Sequence, residues 1–371
     1  MRRALILFFL LFFLLFLLGL ALGQGGGAER ALSGSVFYDA NGNGLRDPGE
    51  PGLPGVMVSD GLNVTTTAPD GSYALELRPN RRIVFITIPS GWWTAQFYRQ
   101  AESGTSPDFP LYPIPIAQEF SFIQVTDIHI LPQAKAAVEE FVARANGLKP
   151  AFVISTGDLV FDVCYYTSLA DTLEEVEAAF SLYLEAMSGL APPLFNAIGN
   201  HDCACALSPS LPEHYKGAYQ RYFGPLWYSF DFGEWHFIVL DGNSPDPLPT
   251  SWLNEEELAW LAADLALQPK DRPILLFSHQ PLFLCRNYGK LLEIVRGYNV
   301  QAAVAGHEHA TYAREVGIMN IVTGALSGRW WADDGLHWNG FNTDGSPQGF
   351  RLFRIEGERL SSEYVGMKSQ P

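Results

Sequence analysis

The sequence predicts a layered α/β core, with helices on both faces of its sheet structure, preceded by a smaller all-β sandwich. Three observations carry that reading. From about Ala31 to Ala101, short apolar runs are split by Gly, Pro and Asn turns, and no helical period is present. From Phe120 the pattern changes to strands alternating with amphipathic helices, which implies βαβ units. Short polar motifs then recur where strand patterns end, the place where ligands collect in α/β folds.

The elements follow in chain order. Arg2 and Arg3 precede a Leu/Phe-rich run from Ala4 to Leu18 that continues to Leu22, and Ala21-Leu22-Gly23 has the small residues an export peptidase requires. Residues 1–23 therefore read as a signal peptide, with a retained N-terminal anchor as the alternative. Both place the remainder outside the cytoplasm, secreted or periplasmic. No other apolar run is long enough to span a membrane. Gln24–Glu29 is a Gly-rich tether. The β-sandwich is expected over 31–101, with strands at Gly34–Tyr38, Gly55–Ser59, Ser72–Leu77 and Ile83–Ile88. Residues 102–118 read as a stiff linker, because Ser103–Ile116 carries Pro107, Pro110, Pro113 and Pro115.

The α/β core is expected over 119–325. Strands are read at Ser121–Thr126, Ala151–Ser155, Leu194–Ile198, Ile274–Phe277 and Ala302–Ala305, and a strand pair at Trp227–Phe232 and Trp235–Leu240. Helices are read at Gln133–Leu148, Thr172–Leu190, Asn254–Leu267 and Tyr288–Gly297. In the first, Val138, Phe141, Val142 and Ala145 fall at helical spacing. In the third, Glu255–Glu257 occupy the first turn, as the helix dipole favours. Residues 326–371 read as a small C-terminal β extension ending in Phe350–Ile355 and Leu360–Val365.

Five motifs carry the chemistry: Asp127-Ile128-His129, Gly157-Asp158, Gly199-Asn200-His201-Asp202, Ser278-His279 and Gly306-His307-Glu308-His309. Each has an ordinary explanation alone, as a strand-end residue, a turn or a buried histidine. Together they supply Asp, Asn and His side chains for two metal ions side by side. Carboxylate and imidazole suit Mn, Fe, Zn and similar divalent ions, and an amide adds a neutral oxygen. A carboxylate at a turn bridges ions about 3.5–4 Å apart, and such pairs activate water and stabilise the charge of an in-line phosphoester hydrolysis. The leaving alkoxide needs a proton, and His201 is placed to give one.

TDIH, GD, GNHD, SH and GHEH in this order resemble the calcineurin-like metallophosphoesterase family over roughly Phe120–His309. The resemblance implies one metal on Asp127, His129, Asp158 and His309 and a second on Asp158, Asn200, His279 and His307. Asp158 and a water or hydroxide then bridge both, and His201 acts on the leaving group. Phe161 stands where purple acid phosphatases have a Tyr, so a phenolate ligand to ferric iron is absent. Some relatives carry an Asp at that same position to orient the catalytic His; here the candidates are Asp162 and Asp202. The implied activity is hydrolysis of a phosphomonoester or phosphodiester. A surface binding module on a non-catalytic scaffold and a metal-dependent nuclease are the rivals. The net charge of −16 and the lack of a basic stripe argue against long nucleic acid, leaving a small phosphoester as substrate.

Three further features call for a test. Asp39, Asn41, Asn43, Leu45, Asp47 and Glu50 fit a calcium loop with Gly44 at its bend, although Pro51 and the preceding strand exclude a true EF-hand. The loop resembles those of β-sandwich modules in bacterial surface proteins, and the segment through Gly91-Trp92-Trp93 resembles the domain that precedes some bacterial calcineurin-like phosphoesterases. Cys164, Cys203, Cys205 and Cys285 allow three pairings in an exported protein. A bridge from Cys164 to Cys203 or Cys205 braces two metal loops and leaves the other for Cys285; free buried thiols are the alternative. Finally, Arg329, Trp330, Trp331 and His337 lie in a segment that resembles the C-terminal part of the same fusion proteins. Trp330, Trp331 and His337 are candidates to border the cleft and Arg329 to pair with phosphate, with core packing the alternative for the tryptophans.

Overall fold

A computed structural model describes residues 30–78, 81–101, 107–163, 172–244, 251–328 and 342–367. The N-terminal sandwich contains β1 (Arg30–Tyr38), β2 (Met57–Ser59), β3 (Val64–Thr66), β4 (Ser72–Leu77), β5 (Ile83–Ile86), β6 (Trp92–Trp93), β7 (Tyr98–Gln100) and β8 (Phe109–Pro113). Its two sheets have the orders β4-β1-β8-β6 and β3-β2-β5-β7. Alternate residues of both sheets, among them Val36, Val58, Val84, Ile86, Phe109 and Leu111, fill the space between them.

Strand β8 corrects the reading of 102–118 as a linker. Phe109–Leu111 pair in parallel with Val36–Tyr38, and Trp92–Trp93 pair with Tyr112–Pro113 on the other side. Phe109 and Leu111 are fully buried, while the intervening Pro110 and the following Tyr112 and Pro113 face outward. The proline frequency hid a period-two strand whose apolar residues point inward.

The layered core then runs β9 (Glu119–Val125), α1 (Lys135–Leu148), β10 (Val153–Thr156), α2 (Leu173–Met187), β11 (Leu194–Ala197), α3 (Gly217–Phe223), β12 (Tyr228–Phe232), β13 (Trp235–Val239), α4 (Glu255–Ala266), β14 (Pro273–Phe277), α5 (Tyr288–Ile294), β15 (Asn299–Ala305), β16 (Tyr312–Val316), β17 (Ile318–Val322), β18 (Gly349–Glu356) and β19 (Arg359–Gly366). One sheet has the order β11-β10-β9-β18-β19 and the other β12-β13-β14-β15-β17-β16. Phe122, Phe152, Phe195 and Phe353 of the first meet Phe230, Phe237 and Phe277 of the second in a shared aromatic core. Helices α1 and α2 cover the outer face of the first sheet through Val138, Phe141, Val176 and Phe180, and α4 and α5 pack on the second through Leu258, Leu261 and Leu291. The fold is thus α/β with helices on both outer faces, and the sheets carry the site-bearing loops between them. Helix α2 starts at a capping box: Thr172 Oγ1 accepts from Glu175 N at 3.3 Å, and Glu175 Oε2 accepts from Thr172 N at 3.0 Å.

The C-terminal strands are not a separate extension. β18 pairs antiparallel with β9, from Arg351 opposite Gln124 to Glu356 opposite Glu119, and β19 pairs with β18. Phe350, Leu352, Phe353 and Ile355 are buried on both faces, so the sheet is incomplete without them. The sandwich packs on this core: Trp227 Nε1 donates to Gly61 O at 2.8 Å, and the Thr87 and Ser229 hydroxyls meet at 2.7 Å. Among the described residues no helix is long and apolar enough to cross a membrane. The signal segment 1–23, Cys164, Arg329, Trp330, Trp331 and His337 lie outside the described residues.

Candidate metal centre

Among the described residues, five of the seven non-glycine residues with positive φ are residues expected to hold metal: Asp127 (50°), His129 (45°), Asp158 (51°), His307 (71°) and His309 (46°). A left-handed backbone is unfavourable for residues with a Cβ and persists where the surroundings enforce it. Each lies on a loop that follows a strand (β9, β10 or β15). The loops interlock through backbone bonds: Asp127 N donates to Gly157 O at 3.0 Å, His129 N to Asp158 O at 2.9 Å, and Gly306 N to His279 O at 2.9 Å. At Gly306 a Cβ would meet Thr126 Oγ1 at 1.9 Å and Asp127 Oδ2 at 2.4 Å, so glycine alone permits this approach.

The side chains converge as two groups, with Asp158 reaching across from one to the other. Asp127, His129 and His309 form one cluster and Asp158, His279 and His307 another, with ligand atoms in each within 4.8 Å of one another. Asp158 Oδ2 lies 3.3 Å from His129 Nε2 and 3.1 Å from His279 Nε2, between the clusters. Asp127 Oδ1 is 3.2 Å from His309 Nε2. Asn200 Oδ1 lies 3.1 Å from His279 Nε2, and His307 Nδ1 lies 3.2 Å from the same atom. All seven expected ligands are therefore brought together.

Their other atoms are held from behind. His279 Nδ1 donates to Thr156 O at 2.8 Å and His129 Nδ1 to Phe161 O at 3.3 Å, which leaves each Nε2 facing inward. Asp127 Oδ2 accepts from Thr126 Oγ1 at 2.8 Å and His307 N at 2.9 Å, while Asp158 Oδ1 accepts from His201 N at 2.9 Å. In contrast, Asp127 Oδ1 and His129 Nε2 are buried without a hydrogen-bond partner. Orphaned inward atoms in a dry site are unfavourable by about 1–3 kcal/mol each, and more for charged groups. A divalent cation satisfies both. The donors, carboxylate and amide oxygens with imidazole nitrogens, fit Mn, Fe, Zn and similar ions.

Electrostatics concentrate here. Burial opposes ionisation of Asp127 and Asp158, but neighbouring histidines hold both carboxyls below the usual range, His309 chiefly for Asp127 and His279 for Asp158. Burial opposes protonation of His279, and Asp158 overcomes it, raising the group to about 9. Burial, then the charge of His279, lowers His307 to about 4. Opposing burial, Asp158 and Asp162 raise His201 to about 8.

His201 also falls within ligand distance of His129 and Asp158. Its Nδ1 lies 3.5 Å from Asp162 Oδ1. Of the two carboxylates weighed as its support, Asp162 faces it. Asp202 does another job: its Oδ1 accepts from Leu159 N at 2.8 Å and Val160 N at 3.2 Å, and its Oδ2 from Gly199 N at 2.8 Å, stapling two ligand loops. Thr126 opens the TDIH motif and Gly328 opens the Gly328-Arg329-Trp330-Trp331 segment, but neither carries a role at the site by sequence alone; Thr126 Oγ1 donates to Asp127 Oδ2 at 2.8 Å and Gly328 N to Asp127 O at 2.8 Å.

The loop Asp39–Glu50 lies elsewhere. Asp39 Oδ1 accepts from Gly42 N at 2.7 Å and Oδ2 from Gly44 N at 2.8 Å; Glu50 accepts from Ala40 N at 2.9 Å and Asp47 N at 3.0 Å. Asn41 and Asn43 donate through Nδ2 to Asp47 Oδ2 at 2.7 and 2.8 Å, and the Leu45 amide donates to Asn43 Oδ1 at 2.8 Å. The turn is closed by its own groups. Among the cysteines, Cys205 is disulfide-bonded and Cys203 and Cys285 are free and buried, so the second bridge to Cys285 is not formed. Cys285 is instead packed in the apolar core beside Tyr288 and Leu282.

A family model described as calcineurin-like phosphoesterase matches residues 120–311, more than half of the 371-residue chain. The chain belongs to the calcineurin-like phosphoesterase family. A second model, the N-terminal domain of such phosphoesterases, matches residues 40–111. The chain is 26% identical over 216 residues to a 3',5'-cyclic-nucleotide phosphodiesterase of Nostoc sp., covering 53% of this chain and 73% of the relative. It is 30% identical over 176 residues to a probable cyclic nucleotide phosphodiesterase of Rhodopseudomonas palustris, covering 44% and 57%. Among solved structures, a dimetal phosphatase from Danio rerio superposes with a TM-score of 0.48 at 15% identity, covering 67% of this chain and 96% of that one. As a calcineurin-like phosphoesterase, the protein is a metal-dependent phosphoric ester hydrolase, with candidate His and Asp ligands already assembled.

Proposed function

We propose that the protein hydrolyses a small phosphodiester, a cyclic nucleotide being the first substrate to test, at a binuclear centre on Asp127, His129, Asp158, Asn200, His279, His307 and His309. The observation that carries the binuclear reading is Asp158 Oδ2, which lies within 3.3 Å of a histidine nitrogen from each half of the site. The diester preference is supported by relatives named as cyclic nucleotide phosphodiesterases. Ions held here would supply Lewis-acid activation of a water and of the phosphoryl oxygens.

The chain's own groups do the rest. Asp127 and Asp158 stay ionised and bring negative charge for two cations. The rings of His129 and His279 are fixed by Phe161 O and Thr156 O. His201 Nδ1 lies 3.5 Å from Asp162 Oδ1, a carboxylate that favours the protonated form of the ring. As the bond from phosphorus to the water oxygen forms, the bond to the leaving alcohol breaks, and His201 protonates the departing oxygen. The products are a phosphomonoester and an alcohol; for a cyclic substrate both remain on one molecule. A panel of cyclic nucleotides, linear diesters and monoesters, assayed with Mn added or chelated, tests this. Hydrolysis of monoesters alone would overturn the diester reading, and turnover unaffected by chelation would overturn the metal dependence.

Export is part of the proposal. The apolar run before Gly23 supports it, and so does the disulfide at Cys205, since cytosolic thiols are kept reduced. For the loop Asp39–Glu50 the proposed ion is calcium, supported by its spacing and by an extracellular setting.

A further inference from the structure

Behind the Asn200–His279 half of the site, Asn243 joins two loops that hold proposed ligands. It follows β13 and is buried, 3% exposed. Its Nδ2 donates to Ile198 O at 3.1 Å, two residues before Asn200. Its Oδ1 accepts from Gln280 Nε2 at 3.1 Å, and Gln280 directly follows His279. Ile198 O is a backbone acceptor, so the orientation of the Asn243 amide is fixed by it. The amide is itself anchored: Asn243 N and Nδ2 both donate to Asp241 Oδ1, at 3.0 and 2.9 Å. Lys216 Nζ closes the anchor with Asp241 Oδ2 at 2.6 Å and Asn243 O at 3.1 Å.

We infer that Asn243 is a positioning residue, which through Ile198 O and Gln280 sets the separation of Asn200 Oδ1 and His279 Nε2 and so the affinity of the second ion. This rests on the binuclear reading above. Only a side chain with a donor and an acceptor on one planar group can make both links. A carboxylate would face Ile198 O and Asp241 Oδ1 with like charge or lone pairs, and an alkyl group would leave Ile198 O and Gln280 Nε2 buried and unpaired. The other half-site has no bond to Asn243 among the described residues: Asp127 and His129 are held by Thr126, the His307 amide and Phe161 O. Loss of such an outer link typically weakens metal affinity about 10–100-fold.

The experiment is a Mn titration of metal-stripped full chain by calorimetry, with elemental analysis after dialysis, for wild type, Asn243→Ala and Gln280→Leu. Wild type should hold two ions per chain. Asn243→Ala should keep one tight ion and bind the second about 10–100-fold more weakly; Gln280→Leu, which cuts only the link to the His279 loop, should do the same to a lesser degree. Two tight ions in Asn243→Ala, or equal weakening of both, would overturn the inference. If that variant does not fold, two equally tight ions in Gln280→Leu overturn it instead, and selective weakening of one upholds it. Wild type that binds fewer than two ions would break the binuclear reading itself, an outcome separate from any effect of the substitutions.

Discussion

Two loop systems in this molecule carry ion-binding spacings, and they are built in opposite ways. At the Asp39 loop, carboxylate and amide groups are closed onto backbone amides and onto each other. At the Asp158 centre, backbone amides are spent on holding side chains from behind, and inward atoms such as Asp127 Oδ1 stay without a hydrogen-bond partner. The first is a self-satisfied turn that an ion must rearrange. The second is a strained, left-handed cradle whose remaining valences only a cation or protons fill. A metal motif thus becomes a metal site through the donors it leaves over, not through the residues it contains.

The sharpest way to break that contrast is Asp158→Asn. An amide keeps the shape but removes the charge shared by both clusters, so hydrolysis should be abolished while melting and circular dichroism stay near wild type. Activity close to wild type would remove the bridging role. Next in size is His201→Ala, expected to lower kcat about 10²–10⁴-fold with both ions retained. Asp162→Asn should act more mildly and with a directional signature. Asp162 favours the protonated form of His201, so the acid form is present at lower pH and is lost as pH rises. Removing the Asp162 contribution should move the alkaline limb of kcat/KM to lower pH; an unmoved limb would detach Asp162 from His201.

The centre was legible because its chemistry needs rare side chains at fixed strand ends, and the layered fold follows from the strand–helix alternation that delivers them. Other parts were hidden for identifiable reasons. β8 was masked by Pro110, which lies between buried Phe109 and Leu111, and by the exposed Pro113 at its end. The place of β18 in the sheet was masked because antiparallel pairing with β9 joins residues more than two hundred positions apart. Asn243 had no local signature: its importance lies in reaching Ile198 O and Gln280 at once, which no spacing encodes. The positive φ values of the ligands were nearly silent, since Asp and His are enriched in left-handed backbone but only a few per cent of non-glycine residues adopt it.

A third arrangement marks the opposite extreme from the metal centre. His236 is buried between Asp231 Oδ1 at 2.7 Å and Asp264 Oδ2 at 2.8 Å, with Ser229 Oγ on Asp264 Oδ1 and Arg272 on Asp231, so both ring nitrogens are satisfied without an ion. Burial opposes its protonation, and Asp264 and Asp231 raise it to about 9 from 6.5. The folded group holds its proton more tightly than the unfolded one. Its stabilisation is therefore complete below pH 6.5 and fades as pH rises through about 9. On the order of 3 kcal/mol is at stake. Urea unfolding at pH 7 and pH 10 should show a loss in wild type that is smaller in His236→Gln by about that amount. Parallel losses in the two proteins would exclude the network as a source of pH dependence.

The smallest effect is expected at the Asp39 loop, and it tests the comparison from the weak side. To hold calcium, the Asn41 and Asn43 amides must turn from Asp47 and present oxygens, and Asp39 must share its lone pairs with amides it already accepts. That reorganisation opposes binding and places the dissociation constant in the range of extracellular modules, about 10⁻⁴–10⁻³ M. Linkage then limits stabilisation to about 1.4 kcal/mol at ten times that constant. Calorimetric melting of metal-stripped protein in calcium against chelator should show a rise of a few degrees in a transition assigned to the sandwich, absent in Asp39→Ala measured in the same buffers. If the rise survives in Asp39→Ala, calcium is acting elsewhere, and the loop is the closed turn its hydrogen bonds describe.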